Sequence, residues 1–225
     1  MMRIIELEKD FADFSLEVRE LELEDGLIHG LIGPNGCGKT TLAKLIIGTI
    51  QARRREIDMG GLSARDLTMA NQKPYMMYDT VYNNLVYPLK LRGIEPDKAE
   101  TSRWLSLCGL DGKEKTAARS LSSGQQQKLS IARALIFKPK LVILDENLSN
   151  LDLDSIEIFE QEILHIQKEA PITWIIISHQ IAHMRRLCDR IHFMAGGRVL
   201  LSGTPSEVLD NPSIPELKRF STVFA

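Results

Sequence analysis

Between residues 3 and 32, apolar and polar side chains alternate with a period near two, which predicts strands that each bury one face. Phe11-Ala12-Asp13-Phe14 and Glu24-Asp25-Gly26 interrupt the alternation and predict turns. A glycine-rich stretch follows, and from Leu42, Leu45 and Ile46 the spacing becomes helical, closing near Gly48. Helical periodicity dominates from residue 73 to about residue 137, most clearly over 99–107 and 123–137. Beyond it, short apolar runs alternate with amphipathic segments: strand at 141–144, helix at 155–170, strand at 173–178, helix at 181–188 and strand at 190–195. Such alternation predicts an α/β fold around a parallel sheet, with active loops at the carboxyl ends of the strands. From Pro205 to Ala225 runs a short helical pattern that Pro212 and Pro215 are expected to end.

Composition narrows the class of molecule without choosing a function. A chain of 225 residues buries a sizeable core, as one domain or one domain with a subdomain. With 44% hydrophobic and 26% charged residues it reads as a soluble globular protein. Its formal net charge of −2 supplies no general attraction to nucleic acid or anionic lipid. Arg53-Arg54-Arg55 reads as a solvated loop, and the acidic stretch from Glu17 to Asp25 as the exposed side of strands. The N-terminus lacks the apolar core of a secretion signal, and no apolar run approaches the ~20 residues of a membrane-spanning helix. Cys37, Cys108 and Cys188 are scattered without metal-ligand spacing, as expected in a reducing cytosol.

Candidate chemistry begins at Gly33-Pro34-Asn35-Gly36-Cys37-Gly38-Lys39-Thr40-Thr41, between the apolar pair Leu31-Ile32 and the helical pattern. The order strand, loop, helix fits G-x-x-x-x-G-K-[ST] in full. Glycines let the backbone wrap a phosphate chain so that successive N–H groups point inward, and the helix presents its positive end to the same anion. Lys39 adds a mobile charge for the outer phosphates, and the Thr40 hydroxyl suits Mg²⁺. These residues imply a nucleoside triphosphate site. Cys37 reads as a small residue at a tolerant loop position rather than a redox sensor.

Leu121-Ser122-Ser123-Gly124-Gln125-Gln126-Gln127-Lys128, followed by Ile131-Ala132-Arg133-Ala134-Leu135, resembles the signature motif of ATP-binding-cassette (ABC) ATPases. Leu141-Val142-Ile143-Leu144-Asp145-Glu146 resembles their Walker B motif and Ser149-Asn150-Leu151-Asp152 their D-loop. Ile175-Ile176-Ile177-Ser178-His179 is similar to the strand ending in their switch histidine, and Gln72 lies where the family places its Q-loop glutamine. The resemblance covers essentially the whole chain, with the motifs in the family's order. It implies a single ABC ATPase domain over residues 1–225, with a P-loop NTPase (RecA-like) α/β core at about 1–72 and 138–225. The inserted α-helical subdomain is expected at about 73–137. The antiparallel β subdomain is expected to be reduced, because the link from Gly48 to Gln72 is short.

The resemblance also implies ATP as substrate, Mg²⁺ as cofactor and roles for individual residues. Lys39 and the backbone N–H groups of residues 35–41 would hold the phosphates; Thr40 and Gln72 would coordinate Mg²⁺, with Asp145 reaching it directly or through water. Glu146 would act as general base, with His179 fixing the attacking water. Phe11, or its rival Phe14, would stack on adenine. Ser122, Ser123, Gly124 and Gln125, at the start of a helix near Gln125, would contact ATP bound to a facing copy, together with Asp152. Four departures stand out: Ser123 replaces a usual glycine, Asn147 a usual proline, Asn150 a usual alanine and Lys128 a common arginine. His29, His165, His183 and His192 are read as structural or solvated.

Partners implied are a second copy, or a paralogous cassette, in a head-to-tail ATP sandwich, transmembrane permease subunits and a solute-binding protein; no nucleic acid is expected. The location implied is cytoplasmic, peripheral on the inner face of the membrane. Tyr78–Gly93 and Gly203-Thr204-Pro205 resemble importer cassettes for small oxyanions, tungstate among them, or polar amino acids. The alternatives are an exporter or lipid-trafficking cassette, and a soluble ABC ATPase acting on ribosomes or DNA. Lys73-Pro74-Tyr75-Met76-Met77-Tyr78 is expected to present an adaptable apolar surface to the permease.

Overall fold

The computed structural model describes residues 1–149, 151–210 and 213–224. In chain order, β1 (Met2–Asp10) and β2 (Ser15–Leu23) form a hairpin, and β3 (Ile28–Ile32) leads through the glycine-rich loop into α1 (Lys39–Ile47). β4 (Arg54–Asp58) and β5 (Leu67–Ala70) precede three helices, α2 (Val81–Arg92), α3 (Lys98–Leu107) and α4 (Ser123–Leu135). Then β6 (Leu141–Asp145), α5 (Leu153–Glu169), β7 (Thr173–Ile177), α6 (Ile181–Leu187) and β8 (Arg190–Ala195) alternate, followed by β9 (Arg198–Gly203), α7 (Pro205–Leu209) and α8 (Pro215–Phe224).

The strands sort into a three-stranded antiparallel sheet, β2-β1-β4, and a six-stranded sheet, β5-β6-β7-β3-β8-β9. All pairs of the larger sheet are parallel except β8 with β9. β3, β6 and β7 are buried at every position, as parallel strands covered on both faces must be. Period two then divides their side chains between two cores. Leu141, Ile143, Ile175, Ile177 and Leu31 pack with α1 and the antiparallel sheet. Val142, Leu144, Trp174, Ile176 and Ile32 pack with Phe159 and Ile163 of α5 and with the helices between β5 and β6. Each fully buried aliphatic or aromatic side chain contributes about 1.5–3 kcal/mol of transfer free energy, so these strands hold the loops at their carboxyl ends rigidly.

Several boundaries differ from the sequence expectation, each for a local reason. α4 starts at Ser123, two residues before Gln125, because Ser122 caps it: the Ser122 hydroxyl accepts from the Gln125 N–H and the Gln125 side chain reciprocates. α5 starts at Leu153 because Asp152 caps it. The tail holds two helices, and Pro215 opens the second instead of ending the first; a first-turn proline loses no hydrogen bond there. Asn150 and the pair Asn211-Pro212 lie outside the described residues. β4, β5 and β9 had no counterpart in the expected elements. Arg54 and Arg55 belong to β4 rather than a loop, and Arg53 and Arg54 reach Glu8 at 2.6 Å and Glu6 at 2.5 Å across the sheet.

Candidate active site

β3, α1, β6 and β7 bring the candidate residues to one end of the large sheet. Its loop needs glycine at Gly33, where φ is +148° and an added Cβ would lie 2.0 Å from the Met194 carbonyl oxygen. At Gly38, φ is +107° and a Cβ would meet the Phe14 ring at 2.9 Å. The loop thus lies tight against β8 and the β1–β2 turn, and its outer side borders a cavity of about 510 Å³. Phe11, Asn35, Gly36, Lys39, Thr41, Gln72 and Glu146 line that cavity. Phe14 also lines it, packed behind Gly38, while Phe11 is 47% exposed with its ring centroid 6.1 Å from that of Phe14.

Lys39 is buried and its Nζ donates to the carbonyls of Gly33 at 2.7 Å and Pro34 at 3.0 Å, across its own loop. Cys37 lies beneath the loop, its thiol pushed up chiefly by burial against the opposing charge of Lys39; a thiol so placed is an unreactive packing group. The Thr40 hydroxyl donates to Asp145 at 2.8 Å. Burial raises the Asp145 carboxyl above its usual range, partly countered by that hydroxyl. A buried carboxylate beside a neutral hydroxyl is a hard-oxygen pair whose charge a divalent cation would complete, so the residues fit Mg²⁺. When bound there, Mg²⁺ would supply charge neutralisation for the phosphate oxygens.

Glu146 directly follows β6 with φ +51°, a left-handed conformation costing of order 1–3 kcal/mol for such a residue and concentrated at working sites. Its N–H donates to the Ile177 carbonyl at 3.0 Å, which turns the side chain out of the sheet end. Gln72 Nε2 donates to Glu146 Oε2 at 2.8 Å, and His179 Nδ1 lies 3.5 Å from Glu146 Oε1. The structure therefore places two residues from two separate loops around the Glu146 carboxylate, next to the phosphate loop.

Ser122, Ser123, Gly124, Gln125 and Asp152 do not line this cavity. Ser122 and Ser123 are exposed at the start of α4, and Asp152 accepts from the Ser155 N–H and hydroxyl, both at 2.9 Å, which holds its carboxyl below the usual range. Met76 corrects the expected surface loop: it is 4% exposed and belongs to the core of the helices, whereas Tyr75 and Tyr78 are exposed. His29 and His192 form a buried stacked pair, and His183 pairs with Glu160. Sequence reasoning missed the tethers of the Gln72 loop: Asn147 to the Asn71 carbonyl, Arg133 to that of Tyr75 and Arg119 to that of Met76. Only the unusual asparagine at 147 signalled any of them.

Residues 16–149 match the family model described as ABC transporter. Among curated relatives, the chain is 37% identical over 193 residues to the tungstate uptake system ATP-binding protein TupC of Peptoclostridium acidaminophilum, covering 82% of this chain and 89% of that one. It is 32% identical to the methionine import ATP-binding protein MetN 1 of Listeria monocytogenes, covering 96% of this chain and 71% of the relative. A solved structure of an ATP-binding subunit of an ABC transporter superposes with a TM-score of 0.85 at 24% identity, over 100% of this chain and 99% of that one, which supports the fold. With a phosphate loop, a β6 carboxylate pair and a matching family model in one molecule, the chain belongs to the ABC transporter ATP-binding family and is an ATPase of that family.

Proposed function

We propose that this chain is the motor of a membrane importer: it binds ATP in the cavity at the phosphate loop, closes with a second cassette around two ATP molecules, and drives solute uptake through separate permease subunits. The arrangement of Glu146 carries the reading. Its carboxylate stands at the strand end beside the loop, engaged by Gln72 and next to His179, where a water could be activated for in-line attack on the terminal phosphate. Lys39 would leave its carbonyl partners for the phosphates, each charge-assisted bond contributing about 1.5–3 kcal/mol. Thr40, Asp145 and Gln72 would hold Mg²⁺, and the half-exposed Phe11 would stack on adenine.

The exposed signature residues support the sandwich. Ser122 caps, and Gly124 sits in the first turn of, a thirteen-residue helix whose N-terminal dipole suits an anion, away from this chain's own cavity. A facing copy would supply that anion. A second cavity of about 480 Å³, lined by Met69, Tyr75, Met77, Tyr87, Leu91 and Phe137, suits a permease helix better than the loop 73–78 alone. None of the helices among the described residues is long and apolar enough to cross a membrane, and the chain would sit peripherally on the cytoplasmic face. The named relatives serve tungstate uptake and methionine import, which supports import; the cargo itself would be chosen by other chains.

Glu146→Gln tests the reading. It keeps the shape but accepts no proton, so hydrolysis should fall by about 10²–10⁴ while ATP still binds. Light scattering should then show a dimer that requires ATP. Turnover near the wild-type rate would remove Glu146 as the base, and a monomer at saturating ATP would remove the sandwich.

A further inference from the structure

We propose that Asn147 is a positioning residue for hydrolysis, tying the loop that carries Gln72 to the strand end that carries Glu146. Asn147 is 1% exposed, and its Nδ2 donates to the Asn71 carbonyl oxygen at 3.0 Å. The adjacent Gln72 donates to Glu146 Oε2 at 2.8 Å, and Glu146 is the chain neighbour of Asn147. Two hydrogen bonds between two adjacent residue pairs thus close a ring across the base of the site. One bond of the ring is exposed and the other part-buried, with its donor side chain inside the protein. Water competes freely for the Gln72–Glu146 bond, whereas the Asn147–Asn71 bond is part-buried and its donor residue is almost wholly shielded, so a lost partner there is costlier. The more shielded bond sets the register of the loop, and the exposed one is left able to open and reform in the same place.

Chain chemistry points the same way. A proline at position 147 has no side-chain donor, so the asparagine adds a link that the usual residue cannot make. Asn147 Oδ1 accepts no bond from the described residues, so the amide is oriented by its Nδ2 bond to Asn71. On the far side of Gln72, Arg133 Nη2 donates to the Tyr75 carbonyl at 2.7 Å and Arg119 Nε to that of Met76 at 3.1 Å. Gln72 therefore rides on a loop strung between the β6 end and the α4 region, with Asn147 as its anchor on the β6 side.

The inference rests on the proposed roles of Glu146 and Gln72, and a double-mutant cycle tests it. Asn147→Ala should lower kcat about tenfold through a misplaced Gln72. The Kd for ATP by calorimetry should stay within about twofold, because the phosphate loop is untouched. In a Gln72→Ala background the same substitution should cost nothing further. Should Asn147→Ala lower the melting temperature steeply, Asn147→Asp keeps the volume, removes the donor and should show the same kcat loss. An unchanged kcat, an equal loss in both backgrounds, or a loss explained by weaker ATP binding overturns the tether. Glu146→Gln separates the two levels: normal turnover there overturns the site reading and the tether together, while blocked turnover there with normal Asn147→Ala overturns the tether alone.

Discussion

His29 in β3 and His192 in β8 make the protein's stability depend on pH below neutrality. Their rings stack with centroids 5.3 Å apart, and His29 Nδ1 lies 3.0 Å from His192 Nε2. The outer nitrogens face the Glu24 carbonyl at 3.1 Å and the Ser202 hydroxyl at 2.8 Å. A nitrogen-to-nitrogen bond needs one donor and one acceptor, so two cations cannot occupy this place. Burial pushes both pKa values down from 6.5, with His29 and Arg190 adding to the effect on His192, which falls to about 3. The unfolded chain would protonate near 6.5, so between those values it binds more protons than the folded state and stability falls as pH falls. For His192 alone the loss from pH 7 to pH 5 is about 2 kcal/mol, and any folded value well below 5 gives the same figure. His29 adds to it. Asp66, held at about 2 chiefly by the Ser63 hydroxyl and N–H, loses its contribution only below its ordinary 3.8 and stays outside the window. Urea unfolding at pH 7, 6 and 5 should show the decline, and His192→Gln should flatten it. Equal stability at pH 7 and 5, or an unchanged slope in His192→Gln, would refute the reasoning.

Lys39→Ala should weaken ATP binding by about 10²-fold while leaving circular dichroism unchanged, since its present partners are two loop carbonyls that water can satisfy; equal affinity by calorimetry would sink the phosphate-loop reading. Met76→Asp should destabilise by about 3–5 kcal/mol because it puts a charge into a 4% exposed core position, whereas Met77→Asp should keep its melting temperature and weaken copurification with a permease. A normal melting temperature for Met76→Asp would place that side chain outside the core.

The middle of the parallel sheet was legible because β6 and β7 are apolar runs of five residues buried on both faces, a pattern that water-exposed strands do not produce. β4, beginning with Arg54-Arg55-Glu56, was not: its outward positions carry charges whose partners lie on β1, and no local period reports a cross-strand ion pair. Residues of the phosphate loop were readable because one short segment contains them all. Gln72, Glu146 and His179 were readable through the family resemblance, since residues 74 and 33 positions apart meet only by way of the sheet order. Met76 misled because methionine suits a groove and a core equally well, and its fate was decided by helices packed on it from elsewhere in the chain.

A carboxylate whose two oxygens are shared out between neighbours is a poor proton acceptor. In this structure Gln72 occupies one oxygen of Glu146 and His179 stands by the other, so the proposed mechanism has the base held back until Gln72 turns to the cation. Under that proposal the engine would idle cheaply: a cassette that has met no partner would burn little fuel, and the rate at which it wastes ATP would follow how often Gln72 lets go, not how tightly the site grips the nucleotide. Leak and affinity then become separate properties, free to drift independently of one another.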